Sequence, residues 1–142
     1  MNDSFQFLTE DDRRLFESKA EHRVYAADEP ILAEGSTTQA IFVIRRGSVR
    51  VERDHLGSGV PFARLESGEV FGEMSFLENT GASASVVADE RVEVDVIDGP
   101  HVQALLVSVP GLATRFYQSL AVALSARLRQ TSYLACPPMC WG

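Results

Sequence analysis

From Arg23 to Ile97 the apolar residues come in short runs cut by turn residues, whereas before and after that stretch they recur at helical spacing. Thr9 followed by Asp12 predicts a capping-box start, with Leu15, Phe16 and Ala20 as the apolar stripe of a first helix ending near Glu21. Val24–Tyr25, Ile31–Leu32, Ile41–Ile44, Val49–Arg53, Phe62–Leu65, Ser85–Ala88 and Val92–Ile97 then read as strands. Their breaks fall at Asp28–Pro30, Glu34–Ser36, Arg45–Ser48, His55–Gly59 and Asp89–Arg91. Roughly eight short strands with frequent turns predict a mainly β sandwich or barrel.

At Asp98 the period changes back. Asp98 is placed to cap a helix with the face Val102, Leu105 and Leu106, which Pro110–Gly111 ends. A longer helix follows from Leu112 to about Gln130. Its Leu112, Phe116, Leu120, Leu124 and Leu128 step by four and so drift about 160° around the axis. Such a stripe either packs wholly on the parent domain or divides between that domain and a second copy. Its width, with Ala113, Ala121 and Ala123 small enough for close helix approach, leads us to expect a homodimer through Leu112–Gln130. The organisation expected is one domain over residues 1–130 and a tail over 131–142.

Composition narrows the function classes. With 13 basic and 20 acidic residues the net charge is −7, which repels a phosphate backbone and argues against nucleic-acid binding. No helix-turn-helix segment is expected after the last helix. The first residues lack the pattern of a signal peptide, and no apolar run reaches a membrane span, so a cytoplasmic protein with no membrane partner is expected. His22, His55 and His101 are scattered, so neither a metal nor another cofactor is expected. No nucleophile elbow or Walker loop occurs, which points away from an enzyme. Cys136 and Cys140 sit in the tail and are read as loose thiols rather than half a zinc site. Arg45, Arg46, Arg50 and Arg53 are read as a solvated turn.

The chemistry-bearing stretch is Leu65 to Ala88. Phe71 closes a strand approach, Gly72 permits a tight turn, and Glu73 opens a short helical turn through Met74, Ser75, Phe76 and Leu77. Glu73 is placed to accept hydrogen bonds from ligand hydroxyls; capping its own helix is the competing role. Phe71-Gly72-Glu73-Met74-Ser75 followed by Ser83-Ala84-Ser85-Val86 resembles the phosphate-binding cassette of cyclic-nucleotide-binding domains, the sensor modules of catabolite-activator-type regulators, nucleotide-gated channels and kinase regulatory subunits. Gly35 and Ile41 to Val49, with Gly47, resemble the family's strand–turn–strand.

The resemblance implies a double-stranded β-helix, a jelly-roll-like β-roll, with an N-terminal helix and two C-terminal helices. It also implies a non-enzymatic signal-transduction role and a ligand such as cyclic AMP bound along Phe71, Gly72, Glu73, Met74, Ser75, Ala82, Ser83 and Ala84. In the family the Glu holds the ribose 2′-hydroxyl and an Arg pairs with the cyclic phosphate. Here the Pro-Arg pair falls on Gly81 and Ala82, and no basic residue lies between Leu65 and Glu90. Conventional cyclic AMP or cyclic GMP binding is therefore expected to be weak. The alternative is a ligand-free dimerisation or protein-interaction module that keeps the fold.

Overall fold

The computed structural model describes residues 5–55, 58–78, 81–82 and 84–135, without the side chains of 54, 55, 58–62, 74, 75, 78 and 130–135. Helix α1 (Glu10–Lys19) leads into β1 (Glu21–Tyr25), β2 (Pro30–Leu32), β3 (Ala40–Arg46), β4 (Ser48–His55), β5 (Ser58–Glu66) and β6 (Val70–Phe71). Then come α2 (Glu73–Glu78), β7 (Ser85–Ala88), β8 (Val92–Asp98), α3 (Gly99–Ser108) and α4 (Leu112–Ala135). The strands form two four-stranded antiparallel sheets, ordered β1-β8-β3-β6 and β2-β7-β4-β5. This is the expected β-roll with one helix before it and two after it. α1 stops two residues before Glu21, and α4 runs five residues past Gln130.

The lack of polar residues in β3 from Ala40 to Ile44 has a physical cause, since both faces of the strand are buried. Ala40, Phe42 and Ile44 face the second sheet in a core shared with Val49, Leu65, Val86 and Val94. Ile41 and Val43 point the other way, into a second core roofed by Phe16, Val102, Leu105 and Phe116 from the helices. Asp98 caps α3 as expected, accepting from the His101 N–H at 3.0 Å. The arginine-rich turn is solvated but paired: Arg45 with Asp95 and Glu17, Arg50 with Asp28, Glu52 and Asp89. Among the described residues no helix is long and apolar enough to cross a membrane.

One buried ion pair locks the first helix to the last. The α1 capping box forms, with Thr9 Oγ1 accepting from the Asp12 N–H and Asp12 Oδ2 from the Thr9 N–H. Because Asp12 is shorter than the usual Glu, its carboxylate stays over the cap and also takes a fork from Arg115. Arg115 Nε donates to Oδ2 at 2.6 Å and Nη2 to Oδ1 at 2.9 Å. Next to it, Ser119 Oγ accepts from the Phe7 N–H and donates to the Arg115 carbonyl. The base of α4 is thus fixed to α1 by charge as well as by Phe116 packing on Phe16.

Asp12 carries a pH signature. Hydrogen bonding from Arg115, with help from Thr9, holds its carboxyl at about 2, below the ordinary 3.8. A carboxyl whose folded value is depressed adds stability above its unfolded value, and that stability is lost as pH falls through the folded value. Asp12→Ala should therefore cost about 2–4 kcal/mol at pH 7 and remove the loss of stability between about pH 4 and 2. Urea unfolding of both proteins across that range checks this; parallel pH profiles would contradict it.

Candidate functional site

β6 ends on Phe71, whose ring stacks on Phe42 of the neighbouring strand with centroids 4.7 Å apart. The chain must then turn hard against β3. Gly72 does so at φ +85, and a Cβ there would lie 2.7 Å from the Ala40 carbonyl and 2.9 Å from the Phe42 ring. Only glycine fits both the conformation and the space. The turn delivers Glu73 into the interior as the first residue of α2, with 2% of its surface exposed.

The buried carboxylate has a partner from the far end of the chain. Arg127 of α4 donates from Nη1 to Glu73 Oε1 at 2.9 Å and from Nη2 to the Val70 carbonyl at 2.6 Å. Burial pushes the Glu73 carboxyl above its ordinary value, and the nearby Arg127 charge opposes that rise. Among the described residues, two buried polar atoms of this pair, Glu73 Oε2 and Arg127 Nε, find no hydrogen-bond partner from another residue. Burying unmet polar atoms is costly, so the pair presents one acceptor and one donor still to be met.

The strap that follows is zipped to the Glu34–Ser36 turn. The Ala82 N–H donates to the Ser36 carbonyl and the Gly35 N–H to the Ala82 carbonyl, both at 2.8 Å. A Cβ on Gly81 would come within 2.9 Å of the Gly35 carbonyl, so the two backbones meet where a larger residue would push them apart. Ala82 and Ala84 are buried. Ser85 spends its hydroxyl accepting from the Glu34 N–H at 2.9 Å, which makes it a strand-to-turn link. Ser83 lies outside the described residues, as do the side chains of Met74 and Ser75 and the whole of Cys136 and Cys140.

Glu73, Gly72 and Phe71 are therefore gathered at one turn, whereas Ala82 and Ala84 belong to a strap held by backbone bonds. The residue that sequence reading missed is Arg127, 54 positions from Glu73. A signal for it existed: at about 100° per residue, Arg127 falls on the same helix face as Leu112, Phe116 and Leu120. A groove of about 240 Å³ under α1, lined by Leu8, Phe16, Val43, Arg45 and Asp95 among others, reaches neither Glu73 nor Arg127.

Comparison with known proteins agrees with this geometry. Residues 22–108 match the family model described as "Cyclic nucleotide-binding domain". The chain is 35% identical over 127 residues to the "Cyclic AMP receptor protein" of Thermus thermophilus, covering 89% of this chain and 57% of that protein. It is 32% identical over 130 residues to "Cyclic GMP-binding protein C" of Dictyostelium discoideum, covering 85% of this chain and 5% of that one. The crystal structure of Thermus thermophilus catabolite activator protein superposes with a TM-score of 0.76 at 34% identity, over 92% of this chain and 60% of that one. The chain thus spans less than two thirds of these relatives. The turn that buries Glu73, the two-sheet roll around it and the matched profile together place this chain in the cyclic nucleotide-binding domain family.

Proposed function

We propose that the chain is a non-enzymatic regulatory module in which a small molecule at the Gly72–Glu73 turn is read out by helix α4. The observation that carries this is the Glu73–Arg127 pair. One carboxylate oxygen finds no hydrogen-bond partner from another described residue, and the other is bonded to α4. A ligand shifts such a helix only through different affinity for its two positions. Bonds to Glu73 and Arg127 supply that difference. The stretch Leu65–Ala88 holds no imidazole or thiol, which supports the non-enzymatic reading.

The names of the relatives suggest cyclic AMP or cyclic GMP as ligands, and the strap argues for weak binding of either. Ala82 stands where the family's phosphate-pairing Arg is expected. A charge-assisted hydrogen bond contributes about 1.5–3 kcal/mol, so its loss weakens binding by about two orders of magnitude. Calorimetric titration should give a cyclic AMP affinity weaker than tens of micromolar, tightened about 100-fold by Ala82→Arg. Submicromolar binding by the unmodified protein, lost on Glu73→Ala, would contradict this assignment.

The same helix supports a homodimer. Leu112, Phe116 and Leu120 are buried within the chain, whereas Leu128 is 56% and Tyr117 42% exposed. Tyr117, Ala121, Leu124 and Leu128 are spaced four, three and four apart, the pattern of a two-helix seam. The seam lies about 110° round from the face that packs on the roll. Leu124→Glu with Leu128→Glu should give folded monomers by light scattering and circular dichroism, whereas Leu120→Glu should unfold the roll. A monomeric unmodified protein at high concentration would sink the dimer.

A further inference from the structure

Alternation along β1 puts His22 on the same sheet face as Asp95, its register partner on β8, and Glu93, the partner of Val24. Glu21 and Arg23 turn to the other face and pair with each other. The His22 ring lies between the two carboxylates, with Nδ1 3.0 Å from Asp95 Oδ1 and Nε2 3.2 Å from Glu93 Oε1. A neutral imidazole carries one N–H and can donate to only one of them. Both contacts are hydrogen bonds only in the imidazolium, which donates from both nitrogens. The second oxygen of each carboxylate is held by an arginine: Arg45 Nε donates to Asp95 Oδ2, and Arg91 Nη1 to Glu93 Oε2. The carboxylates are therefore fixed, and His22 is the member that can move. We infer that His22 is a proton-operated clasp on strand β1, closed on β8 when the ring is protonated and released when it is not.

The clasp matters because little else holds β1. Among the described strands β1 pairs with β8 alone, and four of its five residues are exposed. The side chains of Glu93 and Asp95 are only 20% and 15% exposed, so water does not fully replace a donor withdrawn from either. His22 itself is half-exposed and exchanges its proton with solvent. The charges around the ring are Glu93 and Asp95 from β8, Arg45 and Arg46 from β3, Arg91 from the turn before β8, and Glu17 of α1 behind Arg45. The carboxylates stand between the ring and Arg45 and Arg91, so its nearest charges are negative. Hydrogen bonding to Asp95 raises the imidazole above its ordinary 6.5, with burial opposing and Glu93 adding to the rise. A group raised on folding stabilises the folded state below its unfolded value, and that contribution is lost as pH rises through the folded value. The clasp thus opens as pH climbs above 6.5, at the junction where α1 passes into β1.

The test is an NMR titration of His22 in the full chain, joined to amide hydrogen exchange along β1 and corrected for intrinsic exchange rates. His22 should titrate above 6.5, and Glu93→Gln, which removes one of its two acceptor charges, should lower that value. Protection of the β1 amides should fall about threefold or more between about pH 6 and about pH 8. His22→Gln, neutral throughout, should abolish that fall. A His22 that titrates at or below 6.5 overturns the clasp. Unchanged protection across that range, or a fall that survives His22→Gln, overturns it as well. Should either variant fail to fold, the titration and the β1 exchange of the unmodified chain decide the matter by themselves.

Discussion

A carboxylate taken out of water needs a counter-charge, and among the described residues it is the last helix that brings one to Glu73. The Gly72 turn, forced by the approach of Ala40 and Phe42, leaves Glu73 almost no solvent. Arg127 then has to arrive from α4, which ties the end of the chain to the edge of β3 through β6. Burial of Glu73 and the position of α4 are two sides of one constraint. Moving the helix costs the pair, and relieving the pair frees the helix. A raised carboxyl value also has a sign: it favours the folded state below the ordinary value, and that benefit is lost as pH rises through the folded value. Asp12 pulls the other way, so the two buried carboxylates give the protein opposed pH responses at opposite ends of α4.

Those two carboxylates divide the helix. Its first half is fixed by Arg115 on Asp12, by Ser119 on the Phe7 backbone and by Leu112, Phe116 and Leu120 in the core. Its second half meets the roll through Arg127, while Leu124 is only partly covered and Leu128 is exposed. The second half is thus held through one side chain, Arg127, which bonds both the Glu73 carboxylate and the Val70 carbonyl.

Most of the fold was legible because its causes are local. Capping residues at Thr9 and Asp98, turn residues between short apolar runs and the unbroken run at Ala40–Ile44 each follow from neighbouring positions in the chain. The cassette was legible as a motif, with Gly72 and Glu73 where the resemblance put them. Arg127 was not, because the burial of Glu73 depends on sheet geometry that no local pattern encodes. The step-of-four stripe on α4 was legible as well, since its drift around the axis follows from the 3.6-residue turn, which buries Leu112, Phe116 and Leu120 and carries Leu128 away from the roll. The bond from the Glu34 backbone to Ser85 was not legible, for the same long-range reason as Arg127.

The central claim is that Glu73 and the far half of α4 are coupled through Arg127, and amide hydrogen exchange measures this most directly. Removing the Glu73 charge with Glu73→Gln weakens the contact that holds the second half and leaves Asp12, Arg115 and the leucine core in place. Exchange should quicken along α4 from about Ala121 onward and stay unchanged from Leu112 to Leu120. Unchanged exchange throughout, or a uniform increase over the whole helix, would contradict the account.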